Sequence, residues 1–107
     1  MNVLFVCSKN LSRSPTGEMI YKDHPDVSVK SAGTEPSAGT ELTAEHITWS
    51  DIIFVMEKKH QQSMVAKFPV ETDHKQIVIL DIPDEYRFMD AALIENIKTK
   101  VSGYIDK

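Results

Sequence analysis

Four short runs of β-forming apolar residues, at positions 2–7, 27–31, 51–56 and 76–81, constrain this chain more than any other feature in it. They are dominated by Val, Ile, Leu and Phe and lack the polar alternation of a sheet with one wet face. Strands of that kind are covered on both sides, as in parallel sheets flanked by helices. The intervals between them have helical character. Ser14-Pro15 opens one helix toward Tyr21, proline being suited to a first helical turn. Residues 41–48 fit a short helix. Residues 57–68 fit a longer one, with Met64, Val65 and Phe68 on one face and Pro69 as a stop. Leu93, Ile94, Ile97, Val101 and Ile105 recur at helical spacing within 89–105. Strand–helix alternation with short connections predicts an α/β fold, a three-layer sandwich whose parallel strands are joined by right-handed crossovers. A length of 107 residues suits one modest core, so a single domain over 1–107 is expected. The Gly-, Ser-, Thr- and Pro-rich stretch 32–40 is then a surface loop and not a linker.

Composition removes several function classes. Twelve basic against 16 acidic residues leave a net charge of -4, without the basic excess of a nucleic-acid binder. The longest apolar run, Ile52-Ile53-Phe54-Val55-Met56, is too short to span a bilayer, so no membrane partner is expected. The N-terminal segment lacks the pattern of a secretory signal, and one cysteine forms no internal disulfide; the expected compartment is the cytoplasm. The four histidines (24, 46, 60 and 74) never pair at a metal-ligand spacing, so neither metal nor other cofactor is implied. Oligomeric state is not encoded in any legible pattern.

The first run ends at the only cysteine and continues Cys7-Ser8-Lys9-Asn10-Leu11-Ser12-Arg13-Ser14-Pro15, a C-x5-R spacing between a strand and a helix start. A tight loop there turns successive backbone N–H groups inward as an anion nest. The following helix adds its positive end. Ser8, Lys9, Asn10, Leu11, Ser12, Arg13 and Ser14 are therefore candidate phosphate-binding residues, with Arg13 able to fork two donors onto phosphate oxygens. The same field favours a thiolate at Cys7, a nucleophile, and Ser14 can donate a hydroxyl to its sulfur. An isolated cysteine at a strand end is more often a small buried hydrophobe. The strand, loop, Arg, Ser and Pro in succession outweigh that bland alternative here.

Residues 3–17 resemble the signature of low-molecular-weight protein tyrosine phosphatases, a C-x-G-N-x-C-R-S-P loop, through Cys7, Asn10, Arg13, Ser14 and Pro15. Further echoes are Ser31-Ala32-Gly33-Thr34, similar to the family's second strand and turn, residues 51–57, similar to its third strand, and residues 81–86, similar to the segment that carries its catalytic acid. The resemblance implies a four-stranded parallel sheet in the order 2-1-3-4 and a short, bacterial-type member. It also implies hydrolysis of a phosphomonoester through a phosphocysteine, with a phosphorylated protein or a small phosphate ester as partner. Two departures stand in the loop. Lys9 replaces the family's glycine, and Ser12 replaces a second cysteine that can protect the nucleophile as a disulfide. Related arsenate reductases need extra cysteines to relay electrons, so their self-contained mechanism is excluded.

Phosphocysteine chemistry needs an acid for the leaving oxygen and then a base for water. The candidates lie in Leu80-Asp81-Ile82-Pro83-Asp84-Glu85-Tyr86. By position Asp84 matches the family's general acid, although Glu85 stands where a rigidifying proline is usual; Asp81, at the strand end, is the alternative. Tyr86 is expected to line the substrate cleft. Trp49 reads as a cover for a helix end, and Lys58, Lys59 and His60 as a solvated helix start. Three competing functions remain: a cysteine phosphocarrier of the sugar phosphotransferase type, an enzyme for nucleotides or other phosphate esters and diesters, and a phosphate-sensing module without turnover. A phosphocarrier needs neither Arg13 nor Asp84.

Overall fold

The computed structural model describes residues 1–105. The chain runs β1 (Asn2–Cys7), α1 (Arg13–Tyr21), β2 (Ser28–Gly33), α2 (Ala44–Trp49), β3 (Ile52–Val55), α3 (Lys58–Lys67), α4 (Pro69–Thr72), β4 (Gln76–Ile79) and α5 (Ala91–Ile105). The sheet is parallel throughout, in the order β2-β1-β3-β4, as expected. β1 and β3 are central and almost wholly buried, which is why their sequences do not alternate. β4 is an edge strand, with Gln76 and Ile79 exposed.

Each central strand feeds two cores, because successive side chains leave opposite faces. Val3, Phe5 and Cys7 pack with Ile52, Phe54 and Met56 beneath Tyr21 of α1 and Leu93, Ile97, Val101 and Ile105 of α5. Leu4 and Val6 pack with Ile53, Val55, Ile47 of α2 and Met64 of α3 on the other face. These two apolar layers make the three-layer sandwich. Gly17 lets α1 sit close to the sheet: a Cβ there would lie 2.7 Å from the Phe5 ring.

Several boundaries differ from the sequence expectation. β2 runs on to Gly33, because its C-terminal half pairs with the buried end of β1. Pro69 ends α3 as expected, but as N1 it also opens the single turn of α4, a position where its missing N–H costs nothing. Met89 lies outside α5 with φ 61°, and Thr43 starts α2 with a capping box to His46. Val65 is exposed, not on the apolar face with Met64. No helix among the described residues is long and apolar enough to cross a membrane.

Candidate active site

The sheet places Cys7 at the carboxyl end of β1, and α1 begins at Arg13, so the five intervening residues must turn tightly beyond the strand ends. The reversal is made by Asn10, at φ 57°, a conformation that asparagine tolerates well. Lys9, in the place of the family's glycine, does not occupy the left-handed region. The segment 33–40 straps the loop from outside. Thr34 N–H donates to Cys7 O at 2.9 Å, Glu35 N–H to Ser8 O at 3.0 Å, and Gly39 N–H to Lys9 O at 2.9 Å. Asn10 Oδ1 accepts from Thr40 N–H at 3.1 Å. In a trans peptide the C=O and the next N–H point in opposite directions. The N–H groups of Ser8, Lys9 and Asn10 therefore point away from the strap. Gly33 permits this close approach, since a Cβ there would lie 2.5 Å from Ser8 O and 2.6 Å from Ala38 Cβ.

Cys7 is 3% exposed, and its Sγ lies 2.9 Å from Ser14 Oγ. Asn10 Nδ2 donates to Ser14 Oγ at 2.9 Å and to Ser31 Oγ at 3.0 Å, and Ser31 in turn donates to the Glu18 carboxylate. Because Asn10 supplies a proton to Ser14 Oγ, the serine's own proton is left for Cys7 Sγ or for Ala32 O at 3.3 Å. Arg13 is 1% exposed. Its NH1 donates to Glu57 Oε2 at 2.6 Å and to Ile82 O at 2.8 Å, and its Nε lies 3.8 Å from Asp84 Oδ1. The hydrogen bond from Arg13, ahead of its charge, holds the Glu57 carboxyl below the usual glutamate range, against the opposing pull of burial.

Cys7, Lys9, Leu11, Ser12, Arg13 and Asp84 line one cavity of about 270 Å³. Asp84 reaches it from segment 80–90, which is tied down at several points. Ile82 N–H donates to Met56 O, Lys100 Nζ donates to Leu80 O at 2.7 Å and to Asp81 O at 3.3 Å, and Met89 N–H donates to Thr16 Oγ1. Asp81, with φ 58°, is exposed and does not line the cavity. Tyr86 is half-buried against the α1/α5 core and is also outside the cavity lining. Ser8 turns its side chain toward His60, 2.7 Å away. Among the described residues, no three His, Cys, Asp or Glu side chains gather as a metal-binding group.

His60 corrects the expectation of a solvated helix start. Lys58 and Lys59 are exposed, but His60 is 1% exposed and packed behind the loop. Glu57 and His60 both belong to the site's surroundings; Glu57 was not singled out from sequence, and His60 only as part of that helix start. The available signal was their spacing, Glu57 as N-cap and His60 as N3 of α3, which forms a capping box. Burial first, then the Arg13 charge, lowers the His60 pKa from 6.5 to about 4, against the opposing effect of Glu57.

A stability prediction follows from this shift. The unfolded chain binds a proton at position 60 more readily than the folded one, so the neutral ring's contribution is complete above pH 6.5. It is lost as pH falls toward about 4, at about 1.4 kcal/mol per pH unit, and changes no further below that. Urea unfolding at pH 7, 6 and 5 should show this slope, and His60→Gln should flatten it. An unchanged slope in the variant would show that another group carries the acid sensitivity.

No family model matches the chain. It is 33% identical over 116 aligned positions to the low-molecular-weight protein-tyrosine-phosphatase Etp of Escherichia coli K12, covering 80% of this chain and 78% of Etp. Among solved structures it resembles the tyrosine phosphatase Wzb of Escherichia coli K30 in complex with phosphate, with a TM-score of 0.78 and 21% identity over 98% of this chain and 96% of Wzb. It also resembles the YwlE arginine phosphatase captured with a phosphorylated active-site serine, with a TM-score of 0.76 and 20% identity over 100% and 97% of the two chains. The two structural likenesses establish a shared fold, and the kinship to Etp establishes more: the chain belongs to the low-molecular-weight protein-tyrosine-phosphatase family.

Proposed function

We propose that this phosphatase hydrolyses aryl phosphomonoesters, phosphotyrosine in proteins foremost, through a phosphocysteine on Cys7. The observation that carries the reading is the convergence of Cys7 and Arg13, from the two ends of one loop, with Asp84, about 70 residues later, on one cavity. The Cys7 thiolate attacks phosphorus, the ester P–O bond breaks, and Asp84 gives its proton to the departing oxygen. Water then attacks the phosphocysteine and passes a proton to the Asp84 carboxylate. The P–S bond breaks, and inorganic phosphate leaves. Ser14 Oγ donates to the sulfur and makes it a better leaving group.

The amides of loop residues 8–12, the positive end of α1 and the Arg13 guanidinium surround the equatorial phosphate oxygens, where charge builds in the transition state. Leu11, 67% exposed on the cavity rim, offers an apolar face to an aromatic leaving group, and the exposed Lys9 favours an acidic surrounding sequence. Etp and Wzb carry tyrosine phosphatase in their names, which supports the same substrate for this chain. A lone nucleophilic thiol with no disulfide partner fits a reducing cytoplasm, and the two cores around one sheet fit a single domain.

The test is a leaving-group series. Wild type, Asp84→Asn and Asp81→Asn are assayed on aryl phosphates of decreasing leaving-group acidity, beside phosphotyrosine peptides, a phosphoarginine peptide and nucleotides. Asp84→Asn should slow the poorest leaving groups by about 10²-fold and p-nitrophenyl phosphate much less. That pattern in Asp81→Asn instead would reassign the acid. Turnover of nucleotides or phosphoarginine without phosphotyrosine would reject the substrate class.

A further inference from the structure

The first turn of α3 touches both ends of the loop between Cys7 and α1. Glu57 N–H donates to His60 Nδ1 at 3.0 Å. A backbone amide can only donate, so Nδ1 carries a lone pair and the ring proton sits on Nε2. His60 Nε2 is 2.7 Å from Ser8 Oγ, which must therefore accept from it. The ring is 1% exposed, so water does not compete for that bond. One turn earlier, the Glu57 carboxylate accepts from Arg13 NH1 at 2.6 Å. Residues 57 and 60 thus hold residues 13 and 8, the arginine that closes the loop and the residue directly after the nucleophile.

We propose that the Glu57–His60 turn is a clamp that sets the two ends of the phosphate loop against each other, with His60 a positioning residue acting through Ser8. The helix cap uses only Nδ1, so the bond to Ser8 is surplus to capping α3. Its effect falls on the peptide that follows Cys7, whose C=O is already held by Thr34 N–H. With the Ser8 side chain held on one side and the Cys7 carbonyl on the other, the Ser8 N–H keeps one direction. An amide aimed in advance binds an oxyanion without reorganising when charge develops. The inference rests on the reading of this loop as a phosphate site.

Ser8→Ala removes the acceptor and leaves the cap of α3 intact, whereas Ser8→Thr keeps the hydroxyl. His60→Gln can still accept from Glu57 N–H but presents a shorter donor to Ser8. Each variant, and the Ser8→Ala/His60→Gln double, is titrated with inorganic phosphate by calorimetry, with kcat and KM for p-nitrophenyl phosphate and the Tm measured in parallel. Ser8→Ala should weaken phosphate binding and lower kcat by about 3- to 10-fold with little change in Tm, and Ser8→Thr should stay within about twofold of wild type. The double should be no worse than the more affected single variant. If Ser8→Ala keeps phosphate affinity and kcat within about twofold while His60→Gln lowers only the Tm, the histidine is a helix cap and the clamp is rejected. Phosphate affinity needs no turnover. A chain that binds phosphate but hydrolyses no ester would therefore overturn the proposed reaction while the same titrations still judge the clamp.

Discussion

Replacing Cys7 by serine is expected to lower turnover of an aryl phosphate by at least about 10⁴-fold while leaving the fold and phosphate binding in place. The side chain is 3% exposed and sits between Ser14 Oγ and the apolar core, where oxygen occupies slightly less room than sulfur. The hydroxyl can keep the hydrogen bond to Ser14, so the stability cost should be small. Chemistry is what changes. A serine hydroxyl is a weak nucleophile unless a base takes its proton, and among the described residues the nearby histidine, His60, faces Ser8 and not position 7. Inorganic phosphate should still bind the variant, since the loop amides and Arg13 are unchanged. Steady-state kinetics and phosphate titration on the same sample check both halves. Residual turnover within about tenfold of wild type would remove Cys7 from the mechanism.

The second large effect belongs to Arg13. Arg13→Lys keeps the charge but should lower kcat/KM by about 10³-fold, the upper range for losing one preorganised donor to the transition state. The guanidinium is a strut as well as a charge: one nitrogen bonds Glu57 and the Ile82 carbonyl, and Nε faces Asp84. An ammonium cannot hold those groups and also fork two parallel donors onto phosphate. Part of the loss should therefore come from segment 80–90, which relies on Arg13 for one of its ties. The variant should also lose about 1–3 kcal/mol of stability, because the buried Ile82 carbonyl and the Glu57 carboxylate lose a partner.

That stability loss has a pH signature. The folded-state Glu57 pKa is lowered, chiefly by the Arg13 hydrogen bond, so the pair's contribution is complete above the ordinary glutamate pKa of 4.5 and is lost as pH falls below it. Arg13→Lys should shrink that acid-side loss, as read by unfolding at pH 5, 4 and 3. An Arg13→Lys enzyme with kcat/KM within about tenfold of wild type would show that phosphate is held without the fork.

Much of the fold was legible because its causes are local. Strand runs, helix periods and a proline at a helix start each declare themselves within a few residues, and strand order followed from a resemblance carried by the loop after the first strand and by echoes farther along the chain. The same loop exposed Cys7 and Arg13, since a C-x5-R spacing between strand and helix is itself a local pattern. Less legible was Lys9 in place of a glycine, which raised a question about loop geometry. The left-handed turn falls one residue later, at Asn10, so no strained lysine is needed.

Other features had no local cause. The resemblance put Asp84 ahead of Asp81 by position, but both are exposed acids in a turn-rich stretch and nothing local to the sequence separates them. The cavity receives Asp84 because Asp81 and Met89 adopt left-handed conformations and because Met56, Lys100, Arg13 and Thr16 hold the intervening backbone. Those partners come from α1, α5 and the end of β3. His60 follows the same logic. By composition, Lys58-Lys59-His60 is a polar helix start, and only the packing of α3 behind the Cys7–Arg13 loop turns its third residue inward.

By itself, then, the sequence determined the parallel α/β layering and the loop from Cys7 to Arg13, because apolar periodicity and turn chemistry act over a few residues. Only the tertiary structure decided how Asp84 and not Asp81 comes to line the cavity with Cys7, which histidine is buried behind the loop and what grips its two ends. Those outcomes depend on backbone groups brought together from distant parts of the chain, and no spacing in the sequence encodes their meeting.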